Sequence, residues 1–313
     1  MKHKALGLAA IAVMLLLVLI QLQEDAAQDI TEHESLLLLP DLKAALESAS
    51  EIQILGGDNE SRVTIVNQGG GWHIQEKAGY PADFETLSRL SRDMVKLKVA
   101  ERKTTRVENH AQLGLASESD SMAIIVRISS ADRTYEMMIG HTSRTRGTFV
   151  RRPGEDQVYL VEQTIDVSMD PIDYLDPVFL SLESSEVERV VIRTRDSLLK
   201  AVRDEKTGEM VIEGIPEGAE LRYDTVADSL ARIFINLRLD DVKPYRADLF
   251  SEPGETSVTT SSGELRTIRS ENIDGTYWVQ LDQDWQYKVS EFTYNELNKS
   301  MQDMLKTESG DED

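Results

Sequence analysis

Imidazoles at short spacing hold metals, so the five histidines, His3, His33, His73, His110 and His141, are weighed first. They lie far apart, and none belongs to an H-x-x-x-H or H-E-x-x-H pattern. The chain has no cysteine, which removes disulfides, thiolate metal sites, lipid attachment through an N-terminal cysteine, and cysteine nucleophiles. A serine nucleophile on a strand-turn-helix elbow needs G-x-S-x-G, which is missing. With 56 Asp and Glu, close carboxylate pairs arise by accident and carry no information about glycosidase-type chemistry. Asp282 and Asp284 suggest a calcium loop, but the glycine and terminal glutamate of an EF-hand are absent, so a solvated hairpin end is expected. Gly69-Gly70-Gly71 precedes a strand and lacks the helix N-terminus that binds phosphate. Gly140 to Gly147, GHTSRTRG, has no Lys-Ser/Thr after its second glycine and reads as a hairpin loop. One cluster stands out: Arg144, Arg146, Arg151 and Arg152, at and just after that hairpin, suit a carboxylate, phosphate or acidic protein surface. We expect a solvated turn balancing nearby acids, with a partner or ligand contact through these four arginines as the alternative, and no catalytic residue, metal or cofactor.

The background to that cluster is acidic. The formal net charge is −22 and grows slightly more negative once Lys2 and Lys4 are set aside. Such a chain repels nucleic-acid phosphates and anionic membrane surfaces, so nucleic-acid binding is not expected. Hydrophobic residues at 40% and charged residues at 29% describe a globular protein with a real core.

Residues Ala5 to Gln23 are uncharged and rich in Leu, Ile and Val. As a helix rising about 1.5 Å per residue they just cross a hydrocarbon core of about 30 Å. Lys2 and Lys4 precede this run and Glu24, Asp25 and Asp29 follow it, which places the N-terminus in the cytoplasm. A cleaved secretory signal is the alternative. Cutting after Ala26 or Ala27 would put Glu24 or Asp25 at a position that wants a small residue. The expectation is therefore a single-pass protein of the cytoplasmic membrane with its bulk in the periplasm.

The rest reads as a series of strands and helices. Residues 24–50 form a juxtamembrane spacer and a short helix capped by Asp41. Strands are expected at Ile52–Leu55, Val63–Val66 and Gly71–Gln75, then a helix from Asp83 whose stripe is Phe84, Leu87, Leu90, Met94 and Leu97. Four strands follow, Met122–Ile128, Tyr135–Ile139, Thr148–Arg151 and Val158–Val161, then an interrupted helical pattern through Ile165, Met169, Ile172 and Leu175. From Val187 the order returns: strands at Val187–Ile192, Leu198–Val202 and Glu209–Ile212, then a helix capped by Asp224 with Val226, Leu230, Ile233 and Leu237 on one face. Strands at Ser257–Thr260, Leu265–Arg269, Thr276–Leu281 and Gln286–Val289 lead to a last helix carrying Leu297, Met301 and Met304. The fold class expected is α+β: an N-terminal transmembrane helix, then two repeats, 51–183 and 184–306, each a mainly antiparallel sheet with packed helices. Residues 307–313 form an acidic tail expected to be disordered.

Trp72-x-Ile74, Pro81-Ala82-Asp83 before the Leu-striped helix, Leu113-Gly114-Leu115, Ile139-Gly140, Phe149-Val150 and Val158-Tyr159-Leu160-Val161 resemble a bacterial domain of unknown function, the DUF4340 family. The resemblance continues through Tyr174-Leu175-Asp176 and covers Ile52 to Ile192 best. It implies an envelope protein with an N-terminal anchor, similar to auxiliary components found beside ABC transporters, including gliding-motility-type systems. It brings no catalytic residues.

Three functions are therefore weighed. The first is a non-catalytic accessory or scaffold subunit binding an envelope or transporter protein. The second is a module binding polysaccharide or peptide in a groove between repeats lined by Trp72, Trp278 or Trp285. The third is an envelope hydrolase using two carboxylates.

Overall fold

The structure, a computed structural model, describes residues 37–116, 123–144, 146–281 and 283–306. The segment Ala5–Gln23, the spacer from Glu24 and the tail 307–313 lie outside the described residues.

Along the chain the first elements are helix α1 (Leu42–Leu46), strands β1 (Ala49–Gly56), β2 (Ser61–Gln68), β3 (Gly71–Ile74) and β4 (Tyr80–Pro81), and helix α2 (Phe84–Val95). Then come β5 (Val99–Thr104), β6 (Ile124–Ser130), β7 (Thr134–Thr142), β8 (Thr148–Arg151), β9 (Val158–Val161) and β10 (Val178–Leu180). The later part holds β11 (Val187–Arg193), β12 (Leu198–Arg203), β13 (Met210–Glu213), α3 (Asp228–Arg232), β14 (Leu237–Arg238) and β15 (Asp241–Pro244). It closes with β16 (Gly254–Thr260), β17 (Leu265–Ile273), β18 (Thr276–Gln280), β19 (Trp285–Val289), α4 (Glu291–Leu297) and α5 (Met301–Met304).

These elements divide into two compact units. The first holds the described residues up to Gln68 together with Glu85–Met169; the second holds Gly69–Phe84 and the described residues from Asp170 onward. In the first unit the sheet order is β2-β1-β6-β7-β8-β9-β5, all antiparallel. Alternation drives it: Ile52, Ile54, Val126, Ile128, Met137 and Ile139 are buried on one face, Leu55, Ile125 and Met138 pack with Leu115 and Val158 on the other, and α2 buries Leu87, Leu90 and Met94. The second unit's sheet runs β13-β12-β11-β16-β17-β18-β19-β15, again antiparallel. Its strand order parallels the first: one strand (β2) or two (β12 and β13) outside the opening strand, then a four-strand meander, then at the far edge a strand that comes after the helix in sequence.

The second unit takes in the β3–β4 hairpin through an aromatic seam and one ion pair. Tyr80, 4% exposed, packs edge-on against Trp285 at 5.2 Å and Tyr287 at 6.1 Å, and Tyr287 stacks on Phe179 at 4.6 Å. Lys77 Nζ meets Asp241 Oδ1 on β15 at 2.6 Å. Thus residues far apart in sequence share one core.

Several expectations need correction. Among the described residues strand outweighs helix, 42% to 20%, so they form mostly antiparallel sheet rather than the α+β arrangement expected. Among the described residues no helix is long and apolar enough to cross a membrane. Phe84, assigned to the buried stripe, is 76% exposed, because it opens α2 where no other layer covers it. The helix expected from Asp224 begins at Asp228, and Asp228 instead accepts the Met210 N–H of β13 at 2.9 Å. The pattern from Ile165 to Leu175 yields only a 3-10 turn at Pro171–Tyr174, since the prolines bracket it too closely for a longer helix. Asp41 makes no side-chain cap on α1 and faces Arg133 at 3.5 Å.

Candidate functional site

The four arginines singled out in the sequence are split by the fold. Arg144 and Arg146 are exposed in the β7–β8 turn. Arg151 is 5% exposed and turned inward: its Nη1 donates to Glu155 O at 2.9 Å and its Nη2 to Leu115 O at 3.1 Å. Burial pushes its guanidinium below the ordinary arginine value. Arg152, half-buried, donates from Nη2 to Leu38 O at 2.5 Å and from Nη1 to Glu155 Oε1 at 3.4 Å. A strand alternates its side chains, so Arg151 at the end of β8 shares the face of Phe149, opposite Val150, and meets the cluster that holds Leu115 and Met138. Two of the four therefore brace the first unit from within, and two face solvent.

The tryptophans are likewise packed rather than displayed. Trp285 sits in the seam with Tyr80. Trp278 is 7% exposed, with Lys243 Nζ 5.0 Å from its ring centre, beside a cavity of about 310 Å³ lined also by Arg246, Leu249 and Ile273. The half-buried Trp72 accepts the Ala82 N–H at its carbonyl, 2.8 Å away. His110 is buried with Nε2 against Asp156 O at 2.9 Å, and His73 Nδ1 lies 3.0 Å from Gly79 O. Among the described residues no three His, Asp or Glu side chains converge as a metal site.

A further concavity, in the second unit, follows from no motif of the sequence. It is a groove of about 550 Å³ walled by α3 and its following turn, by β14, and by α4. Local structure explains its wall. The turn after α3 buries Phe234, whose carbonyl accepts the Leu182 N–H at 2.9 Å, and so directs its neighbour Ile235 outward to 41% exposure. Asn236 then takes a left-handed φ of 52°, with Ser181 Oγ 3.0 Å from its Oδ1, and turns the chain into β14, where Leu237 is buried and Arg238 exposed. On the opposite wall Ser290 Oγ caps α4 by accepting the Thr293 N–H at 3.1 Å. Leu297 is fully buried, and Phe292, five positions earlier, lies about 140° around the helix. Phe292 is accordingly 74% exposed.

Charge on the groove contrasts with the chain as a whole. Arg232 and Arg238 line it, exposed, and neither has an ion pair among the described residues. The facing acids are Asp240 and Glu296, and Glu296 is held by Lys299 at 2.6 Å. An adjoining cavity of about 460 Å³, sharing Ser229 and Glu296, adds Arg222, Tyr223, Lys299 and Asp303. The groove hydroxyls serve the fold: Ser229 Oγ donates to Val226 O at 2.6 Å and Ser290 caps α4. Burial pushes the Glu271 carboxyl and the Tyr294 phenol up, and neither side chain lines the groove. What remains available is apolar contact and two guanidinium forks. The sequence held one signal of this: Ile235 is apolar yet lies off the Val226, Leu230, Ile233, Leu237 stripe.

The family model described as a domain of unknown function (DUF4340) matches residues 72–251, more than half of the chain. The chain belongs to the DUF4340 family. The DUF4340 match begins at Trp72 and runs beyond Ile192, where the sequence motifs stop, so it reaches the α3 and β14 wall of the groove but not the α4 wall. No curated protein and no solved structure matches the chain.

Proposed function

We propose that this DUF4340 protein is a non-catalytic accessory protein of the cell envelope that binds a protein partner through the groove of its second unit. The observation that carries the reading is the exposure of Phe292, on α4, and Ile235, in the turn after α3, both lining that groove with Arg232 and Arg238. Large apolar side chains held in water next to a concavity gain when covered, and aromatic residues with arginine dominate binding hot spots. The lysine-headed, uncharged segment Ala5–Gln23 supports export. The family resemblance supports a setting beside an ABC transporter, as an auxiliary subunit.

Co-purification at native expression, from gently solubilised cell envelopes, tests this. A partner should be recovered with the wild-type chain and lost with Phe292→Ser, which leaves the core untouched. Repeated recovery of the chain alone would overturn the proposal. Cell fractionation supplies a second check, since a cytoplasmic pool carrying the whole chain would contradict export.

A further inference from the structure

Resting on that reading, we propose that the groove takes a linear acidic segment of the partner: a bulky apolar side chain seats between Phe292 and Ile235, and flanking carboxylates meet Arg232 and Arg238. The argument is one of charge and shape. In a chain of formal charge −22, the groove and its adjoining cavity set four cations, Arg222, Arg232, Arg238 and Lys299, against Asp240, Glu296 and Asp303. Lys299 and Glu296 neutralise each other, which leaves Arg222, Arg232 and Arg238 against Asp240 and Asp303. Among the described residues no side chain pairs with the guanidiniums of Arg232 and Arg238, and a planar fork matches a carboxylate with two parallel hydrogen bonds.

A basic or neutral segment would leave those two cations uncompensated as water is driven off Phe292, which costs affinity. A purely acidic segment would leave Phe292 and Ile235 uncovered. Only a segment with both features satisfies both walls.

Fluorescence anisotropy with three labelled peptides on the full chain tests the inference. The first, Gly-Asp-Glu-Leu-Phe-Glu-Asp-Gly, carries both features; the second replaces its acids by lysine; the third replaces Leu-Phe by Ser-Ser. The first should bind at least about tenfold tighter than either control, a difference of about 1.4 kcal/mol. That preference should shrink in about 0.5 M salt, where exposed charges are screened. It should vanish in R232E/R238E, with circular dichroism confirming that the double variant stays folded. Equal binding of all three peptides, no binding, or an unaffected double variant would overturn the inference. A photo-crosslinker replacing Ile235 in cells separates its failure from that of the broader reading. Crosslinks to a basic or neutral partner segment sink the inference and leave partner binding standing. Crosslinks only to lipid or to a second copy of the chain sink both.

Discussion

Arg151 illustrates how a side chain suited to ligand binding becomes a brace. Its guanidinium donates to the buried carbonyl of Leu115, which water cannot reach, and to the part-buried carbonyl of Glu155. Arg151→Met should lower stability by roughly 1–3 kcal/mol in urea unfolding, the cost of leaving the buried Leu115 carbonyl without its donor. Arg144→Ala, at an exposed turn, should fall within about 0.5 kcal/mol of wild type in the same measurement. Asp204 shows the electrostatic counterpart at a surface turn. Its Oδ1 accepts the N–H groups of Thr207 at 2.9 Å and Lys206 at 2.8 Å, which holds its carboxyl below the usual carboxylate value. A carboxyl depressed in the fold contributes stability that is complete above its unfolded value, about 4, and is lost as pH falls through the folded value. Asp204→Ala should therefore flatten the acid limb of stability below about pH 4, read as the urea midpoint against pH. An unchanged limb would contradict this.

At the scale of elements, close backbone approach decides which substitutions the first unit tolerates. Gly140, on β7, receives the Leu113 carbonyl where a Cβ would stand, so the Ile139-Gly140 and Leu113-Gly114-Leu115 motifs meet at this point. Gly147 combines a φ of 90° with the Val161 carbonyl in the same relation. Gly140→Ala has no flexible neighbour to displace and should cost about 1–3 kcal/mol, the range for overpacking. Thermal unfolding checks it, and Gly154→Ala, whose Cβ would meet nothing, serves as the control for backbone strain alone. The elements hardest to foresee were β5, β14 and β15. β5 has mostly exposed side chains and lies at a sheet edge, so it lacks the alternation that marks a half-buried strand. β15 ends in Pro244, which an edge strand tolerates and a central one does not.

For the molecule as a whole, the second unit is discontinuous in sequence, and this has a direct consequence. A fragment from Asp170 to Lys306 lacks Tyr80 and Lys77, leaving Trp285, Tyr287 and Asp241 without their partners from the hairpin. It should bind a hydrophobic dye and unfold without a sharp transition, whereas joining Gly69–Phe84 to it should restore one. In the full chain, Tyr80→Ala should cost about 3–5 kcal/mol, as for other large buried aromatic truncations, followed by tryptophan fluorescence. A fragment as cooperative without the hairpin as with it would refute this organisation.

The sequence by itself determined the strands with clean alternation, the α2 stripe through Leu87, Leu90 and Met94, the β7–β8 hairpin, and the family. These are local quantities: a period of two or 3.6 is written in neighbouring residues. Tertiary structure alone decided that Tyr80 meets Trp285, that Arg151 turns inward, and that Phe292 and Ile235 stay in water. Burial depends on which elements meet, and that is settled by pairings between residues far apart in the chain. Helices α3 and α4 are also too short for periodicity to show which face a partner covers, so the groove between them became visible only once both were in place.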